Sequence, residues 1–208
     1  MNLRHVLVAS LALCISLKLY AEVAKSSPYA PPAPALKVSD VKLDWHDTNR
    51  DRDVPVKIYF PTDTPGPFSI VIFSHGLGGS RENYECLGRH WAGCGYVSVH
   101  VQHPGSDDSI WKDVPVADRA KALQNAAMNV SNMTNRPLDG QFAIDQLTLL
   151  NTDKSSPLMG RLNLKTIAIA GHSFGGYTTL ALAGQTFLLP LGIQQRYEEP
   201  VEGLMSPS

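Results

Sequence analysis

Gly171-His172-Ser173-Phe174-Gly175 is the segment of this chain best suited to covalent chemistry. It has the spacing G-x-S-x-G and stands between a buried apolar run, Thr166–Ala170, and a helical pattern, Tyr177–Leu188. A serine on so tight a strand-to-helix turn needs glycine two positions to either side, because larger residues would clash. The turn exposes Oγ, and the following helix aims its first N–H groups at developing negative charge. Ser173 is therefore the candidate nucleophile of an acyl transfer, with Gly171, His172 and Gly175 forming its turn. A second turn agrees with the first. The apolar run Ser69–Phe73 ends in Ser74-His75-Gly76-Leu77-Gly78-Gly79. Acyl transfer creates an oxyanion that needs two preplaced N–H donors. Phe174, after the nucleophile, supplies one, and Leu77, in the earlier strand-to-helix turn, supplies the other, with His75 and Gly76 supporting it. The bland alternative for each is a glycine turn made only for chain reversal.

These turns must be held by alternating strands and helices, and the sequence supplies them. Val38–Trp45 and Val54–Phe60 alternate apolar and polar residues around the polar turn His46–Asp53, with Pro55 suggesting an edge or strand-start position. The continuous apolar runs Ser69–Phe73, Tyr96–Val101 and Thr166–Ala170 read as strands buried on both faces. Glu82–Ala92 and Val116–Val130 read as helices, and Asn135-Arg136-Pro137 opens another with proline in its first turn. Arg136 and Asp139 then read as helix-start charges. Strands alternating with helices predict an α/β domain with a mainly parallel sheet.

The stretches SHGLGGSRENY, HWAGCGYVSVHVQHPGSDD and AGHSFGGYTTLALAG together resemble a secreted or periplasmic α/β-hydrolase of the dienelactone-hydrolase-like and platelet-activating-factor-acetylhydrolase-like branches. The resemblance spans roughly residues 38–190 and implies a three-layer α/β-hydrolase core. It also implies hydrolysis of carboxylic esters (lipid-like, acetyl or polyester) through an acyl-enzyme on Ser173, with Leu77 and Phe174 as the oxyanion hole. His103-Pro104-Gly105-Ser106-Asp107 would form a loop at the rim of the site.

One departure bears on mechanism. In that fold the acid and then the histidine follow the nucleophile along the chain. The histidines here are 5, 46, 75, 90, 100, 103 and 172, and none follows Ser173. Val201–Met205 resembles the strand after the nucleophile helix, so the fold is expected to be incomplete at the C-terminus, with an open sheet edge. Structural roles are the expectation for His75, His100, His103 and His172, since a base must lie about 3 Å from Oγ. A chain without its base is expected to hydrolyse esters poorly. The alternative is a noncatalytic binding or scaffold protein that keeps the hydrolase architecture. An in-frame continuation of the coding sequence carrying Asp and His would mark a fragment of an enzyme, and a preserved stop codon would favour the scaffold.

Composition excludes other classes. With 208 residues and 43% hydrophobic content, the chain can bury a core. Eighteen basic against 19 acidic residues leave a formal charge of −1 and no stripe suited to nucleic acid. No nucleotide motif, metal cluster or redox pair points to a cofactor, and Asp107-Asp108 reads as loop solvation or capping rather than a metal site. Arg4-His5, the apolar run Val6–Leu17 and small Ala21 read as a cleaved signal peptide over residues 1–21. Secretion or periplasmic export follows, with no stable membrane insertion after cleavage. Residues 22–37, rich in Pro, Ala and Ser, read as a tether before the domain at 38–208. Cys86 and Cys94 lie along a helical pattern that separates them by about 12 Å, against about 7 Å for bridged Cα atoms. Two buried free thiols are expected. Trp91 is expected in the core, and Trp111 could line an acyl pocket.

Overall fold

A computed structural model of the chain describes residues 33–188 and 194–195. Strands β1 (Val38–Asp47) and β2 (Arg52–Pro61) form an antiparallel hairpin. Then follow β3 (Phe68–Ser74), α1 (Glu85–Gly93), β4 (Tyr96–Val101), α2 (Arg119–Ala127), α3 (Val130–Leu150), β5 (Leu162–Gly171) and α4 (Phe174–Leu182). Two short strands, β6 (Phe187–Leu188) and β7 (Gln194–Gln195), pair antiparallel in a separate sheet. The main sheet has the order β1-β2-β4-β3-β5. β2 runs antiparallel to β4, whereas β4, β3 and β5 are mutually parallel. The α/β class holds, and the described sheet is mixed, its parallel part being the one that carries both candidate turns.

Period-two alternation sorts the strands' side chains onto two faces. Ile70 and Ile72 of β3 and Val97, Val99 and Val101 of β4 join one apolar cluster with Ala143, Ile144 and Leu147 of α3. The intervening Phe73 and His100 meet α1 instead: Phe73 packs on Trp91, and His100 lies against Gly88. Gly88 is small because a Cβ there would stand 2.5 Å from the Tyr59 ring. The helices thus cover both faces, as central strands with no polar side require.

Several local expectations are corrected. Pro55 lies in β2, an interior strand of the sheet. It is tolerated because the β2–β4 ladder begins one residue later, at Val56↔Val101. Helix α3 starts at Val130, where the Asn129 side chain accepts a hydrogen bond from the Ser131 N–H. Pro137 is therefore internal to α3 and leaves the Met133 carbonyl without its i+4 donor. The Tyr177 hydroxyl, from α4, donates to that carbonyl at 3.2 Å and binds the two helices together. Cys86 is exposed and Cys94 half-buried, with no disulfide between them, so the thiols are separate as expected but not buried. Trp91 is half-buried. The expected strand at 201–205, and the segments 1–21 and 22–32, lie outside the described residues.

Candidate active site

Parallel pairing of β3 with β5 ends at Ser74↔Gly171, which sets the two candidate turns side by side at the carboxyl ends of adjacent strands. The His172 N–H donates to the Ser74 carbonyl at 3.2 Å, joining one turn to the other. A Cβ at Gly175 would collide with that same Ser74 carbonyl, and one at Gly171 would collide with the Gly175 carbonyl. Both glycines of the motif are needed for close backbone approach, a reason that the spacing alone shows only in outline.

Ser173 has φ 54° and ψ −113°, outside the regions open to a relaxed non-glycine residue. Strain of this kind persists only where surrounding structure imposes it. The residue is exposed at the N-terminus of α4 and makes no side-chain capping bond, so Oγ is free to meet a ligand. It lines a cleft of about 470 Å³ with Gly76, Leu77, Gly78, Asn83 and Tyr84. Neither Leu77 nor Phe174 uses its N–H in the turn and loop hydrogen bonds that hold this region. The arrangement can place an acyl carbon at Ser173 Oγ with an oxyanion near those amides. Tyr84, also at positive φ (62°), stacks on His172 with ring centroids 5.5 Å apart and walls one side.

The loop after β4 underpins the candidate oxyanion turn rather than standing at the rim. The Gly78 N–H donates to the Ser106 carbonyl at 2.9 Å, and Trp111 Nε1 donates to the Gly78 carbonyl at 2.7 Å. Trp111 therefore clamps the turn and is not a pocket wall. Asp107 accepts hydrogen bonds from the Gln102 and Ser109 side chains and, although it precedes the short helical turn Asp108–Ile110, makes no side-chain capping bond. Among the described residues no group of three or more His, Cys, Asp or Glu side chains is placed to hold a metal ion.

Five of the six described histidines are occupied away from Ser173 Oγ, and the sixth, His172, lines the cleft with its ring against Tyr84. His46 of β1 meets Asp53 of β2, and His90 lies 3.8 Å from the Cys94 sulfur. His75 donates from Nδ1 to the Gly76 carbonyl (2.6 Å) and accepts at Nε2 from the His103 N–H (3.2 Å). His100 is held between the Asn83 carbonyl and the Ser98 hydroxyl. His103 Nδ1 lies 2.9 Å from Asp139 Oδ2, so it carries the proton, because a carboxylate only accepts. Its Nε2 then accepts from the Ser74 hydroxyl at 2.9 Å. Burial pushes His100 and His103 down to about 4 and His75 well below its ordinary value, so all three are neutral at pH 7.

Arg136 and Asp139 are interior residues, not helix-start charges; both are 0% exposed. Burial acts to raise the Asp139 carboxyl, but hydrogen bonds from His103 and Arg52 override it and hold it at about 2. Arg50 also reaches Asp139, at 2.8 Å. This cluster escaped the sequence reading because its members come from the β1–β2 turn, β2, the loop after β4 and α3. One signal was present: with α3 begun at Val130, Arg136 and Asp139 share the helix face of Ala143, Ile144 and Leu147.

Comparison with known proteins follows the same lines. The profile of the family described as platelet-activating factor acetylhydrolase, isoform II, matches residues 46–136. The platelet-activating factor acetylhydrolase of Cavia porcellus is 29% identical over 149 residues, covering 61% of this chain and 34% of its own length. That of Canis lupus familiaris is 25% identical over 191 residues, covering 68% of this chain and 40% of its own. The chain thus spans between a third and two fifths of these relatives. A ferulic acid esterase structure from Streptomyces cinnamoneus matches with a TM-score of 0.52 at 20% identity, covering 73% of this chain and 56% of that one. The fold is that of the α/β-hydrolases, and the sequence is similar to the platelet-activating factor acetylhydrolases, as the three motifs indicated.

Proposed function

We propose that the chain carries the nucleophile and oxyanion half of a carboxylic ester hydrolase, acting on lipid-like, acetyl or polyester substrates. The observation that carries this reading is the strained, exposed Ser173 with an unengaged Oγ beside the Leu77 turn. Ser173 Oγ attacks the ester carbonyl carbon, its proton passing to a base, and the carbonyl π electrons move onto oxygen. The Leu77 and Phe174 N–H groups hold that oxyanion. Collapse expels the alkoxide, which takes up the proton, and water then releases the acid by the same steps. The likeness to acetylhydrolases supports the ester class. Residues 1–21 act as an export signal and 22–37 as a tether, which gives a secreted or periplasmic protein.

No described histidine bonds to Ser173 Oγ, and none follows it in the 208 residues. Ser173 then stays a neutral hydroxyl, and this chain alone turns over esters slowly. The same observation favours a second reading, a noncatalytic scaffold. Hydrolysis of a short-chain aryl ester by the 208-residue chain and by Ser173→Ala separates them. A slow rate abolished by the substitution supports the hydrolase half. A rate that Ser173→Ala leaves unchanged removes Ser173 as nucleophile and favours the scaffold. Turnover at ordinary enzyme rates that the substitution abolishes would show that one of the chain's own histidines is the base.

A further inference from the structure

Arg136 ties three segments of chain together at one planar group. Its Nε donates to Thr178 Oγ1 of α4 at 2.9 Å, and Nη1 donates to Ser106 Oγ, in the loop after β4, at 2.8 Å. Nη2 donates to Ser74 Oγ at 2.9 Å and to the His75 carbonyl, both at the start of the oxyanion turn. The guanidinium also lies over the Phe174 ring, 4.5 Å from its centroid. The partners are neutral, and no carboxylate pairs with Arg136 directly. A buried cation without a paired anion is costly, and a well-packed apolar residue would avoid that cost. What the guanidinium gives that an apolar side chain cannot is a rigid fork of donors in fixed directions.

The fork is itself oriented. Ser74 accepts from Arg136 and gives its own proton to His103, which passes the order on by donating to Asp139. Asp139 is fixed by Arg52 at 2.8 Å. The Ser74 hydroxyl and the His103 ring each have one acceptor and cannot turn to another without leaving a buried group unpaired.

We propose that Arg136 is a positioning residue that sets the oxyanion turn, residues 75–79, in register with the nucleophile turn, residues 171–176. It touches no substrate; it acts through His75 and Ser74 on one side and through Phe174 and Thr178 on the other. The role assigned to those turns rests on the ester-hydrolase reading above, whereas the coupling between them does not. The two failures are distinguished by a readout that needs no turnover.

That readout is amide hydrogen exchange of the 208-residue chain, followed at His172, Gly175 and Gly176 for one turn and at Gly78 and Gly79 for the other. In Arg136→Lys, whose single ammonium cannot reproduce the fork, both sets should exchange at least about tenfold faster relative to Ile72 and Val99 of the sheet core. Leu147→Ala, a buried change in the same helix away from the turns, should speed all amides together. Thr178→Val should loosen the nucleophile set and Ser106→Ala the oxyanion set, each leaving the charge in place. If Arg136→Lys does not fold, these two variants decide the matter. A uniform rise in Arg136→Lys like that of Leu147→Ala, or Thr178→Val and Ser106→Ala leaving both sets unchanged, would overturn the proposal.

Discussion

At Gly175 an added Cβ would meet the carbonyl of Ser74, whereas at the next residue, Gly176, it would meet nothing within 4 Å. Gly175→Ala should therefore lower stability by about 3 kcal/mol through backbone overpacking. Gly176→Ala, in a helix with open space, should raise it by about 0.5–1 kcal/mol. Urea unfolding midpoints of the two variants check both signs. The buried histidines give a second expectation at this scale. His100 is held near 4 by burial, against about 6.5 when unfolded. The unfolded chain binds its proton first, so the contribution is complete above pH 6.5 and declines as pH falls toward 4. The loss is about 2 kcal/mol by pH 5. His103 is held at the same value by the same cause. Asp139, held at about 2, acts in a lower window: its contribution is present above the unfolded value near 3.8 and is lost below it. Midpoints at pH 7.5 and pH 5 should differ, and His100→Gln should shrink the difference. Equal midpoints in the unmutated chain would contradict these assignments.

Pro137 of α3 and Tyr177 of α4 act as one unit, because the hydroxyl supplies the hydrogen bond that proline cannot. Tyr177→Phe keeps the ring, which packs on Phe174 and Phe187, and should cost about 1 kcal/mol for the carbonyl left without its hydroxyl partner. In a Pro137→Ala background the helix can supply its own N–H, so the same change should cost less. A double-mutant cycle by thermal unfolding measures that coupling, and a value of zero would refute it. The sequence misplaces this helix for a physical reason: proline usually marks a first turn, and the tyrosine that excuses it here lies on another element. The strands were legible, since Ser69–Phe73 and Tyr96–Val101 are apolar on both faces and fall within β3 and β4. So was the G-x-S-x-G turn, whose demands are local. The Arg136–Ser74–His103–Asp139 series was not, because its order depends on which strands become neighbours.

Across the whole molecule, the formal charge of −1 hides an uneven placement: Asp139 gathers Arg50, Arg52 and His103 in the interior, while Arg89 pairs with Glu85 and Asp40 outside. Asp139→Asn leaves the largely buried Arg52 without its anion, whereas Arg50 keeps Asp47, and should cost about 3–5 kcal/mol. Arg89→Ala, at a solvated pair, should cost less than about 1 kcal/mol, and chemical unfolding of the two variants tests the contrast. The cleft, finally, is walled largely by main chain. Gly76, Gly78 and Gly79 cannot gain side chains without striking His172, Trp111 or His75. Change in what the cleft admits is thereby channelled through few positions of the described wall, chiefly Leu77, Asn83, Tyr84 and His172. A lineage built on this cleft would diversify at those side chains while the main-chain floor stayed the same.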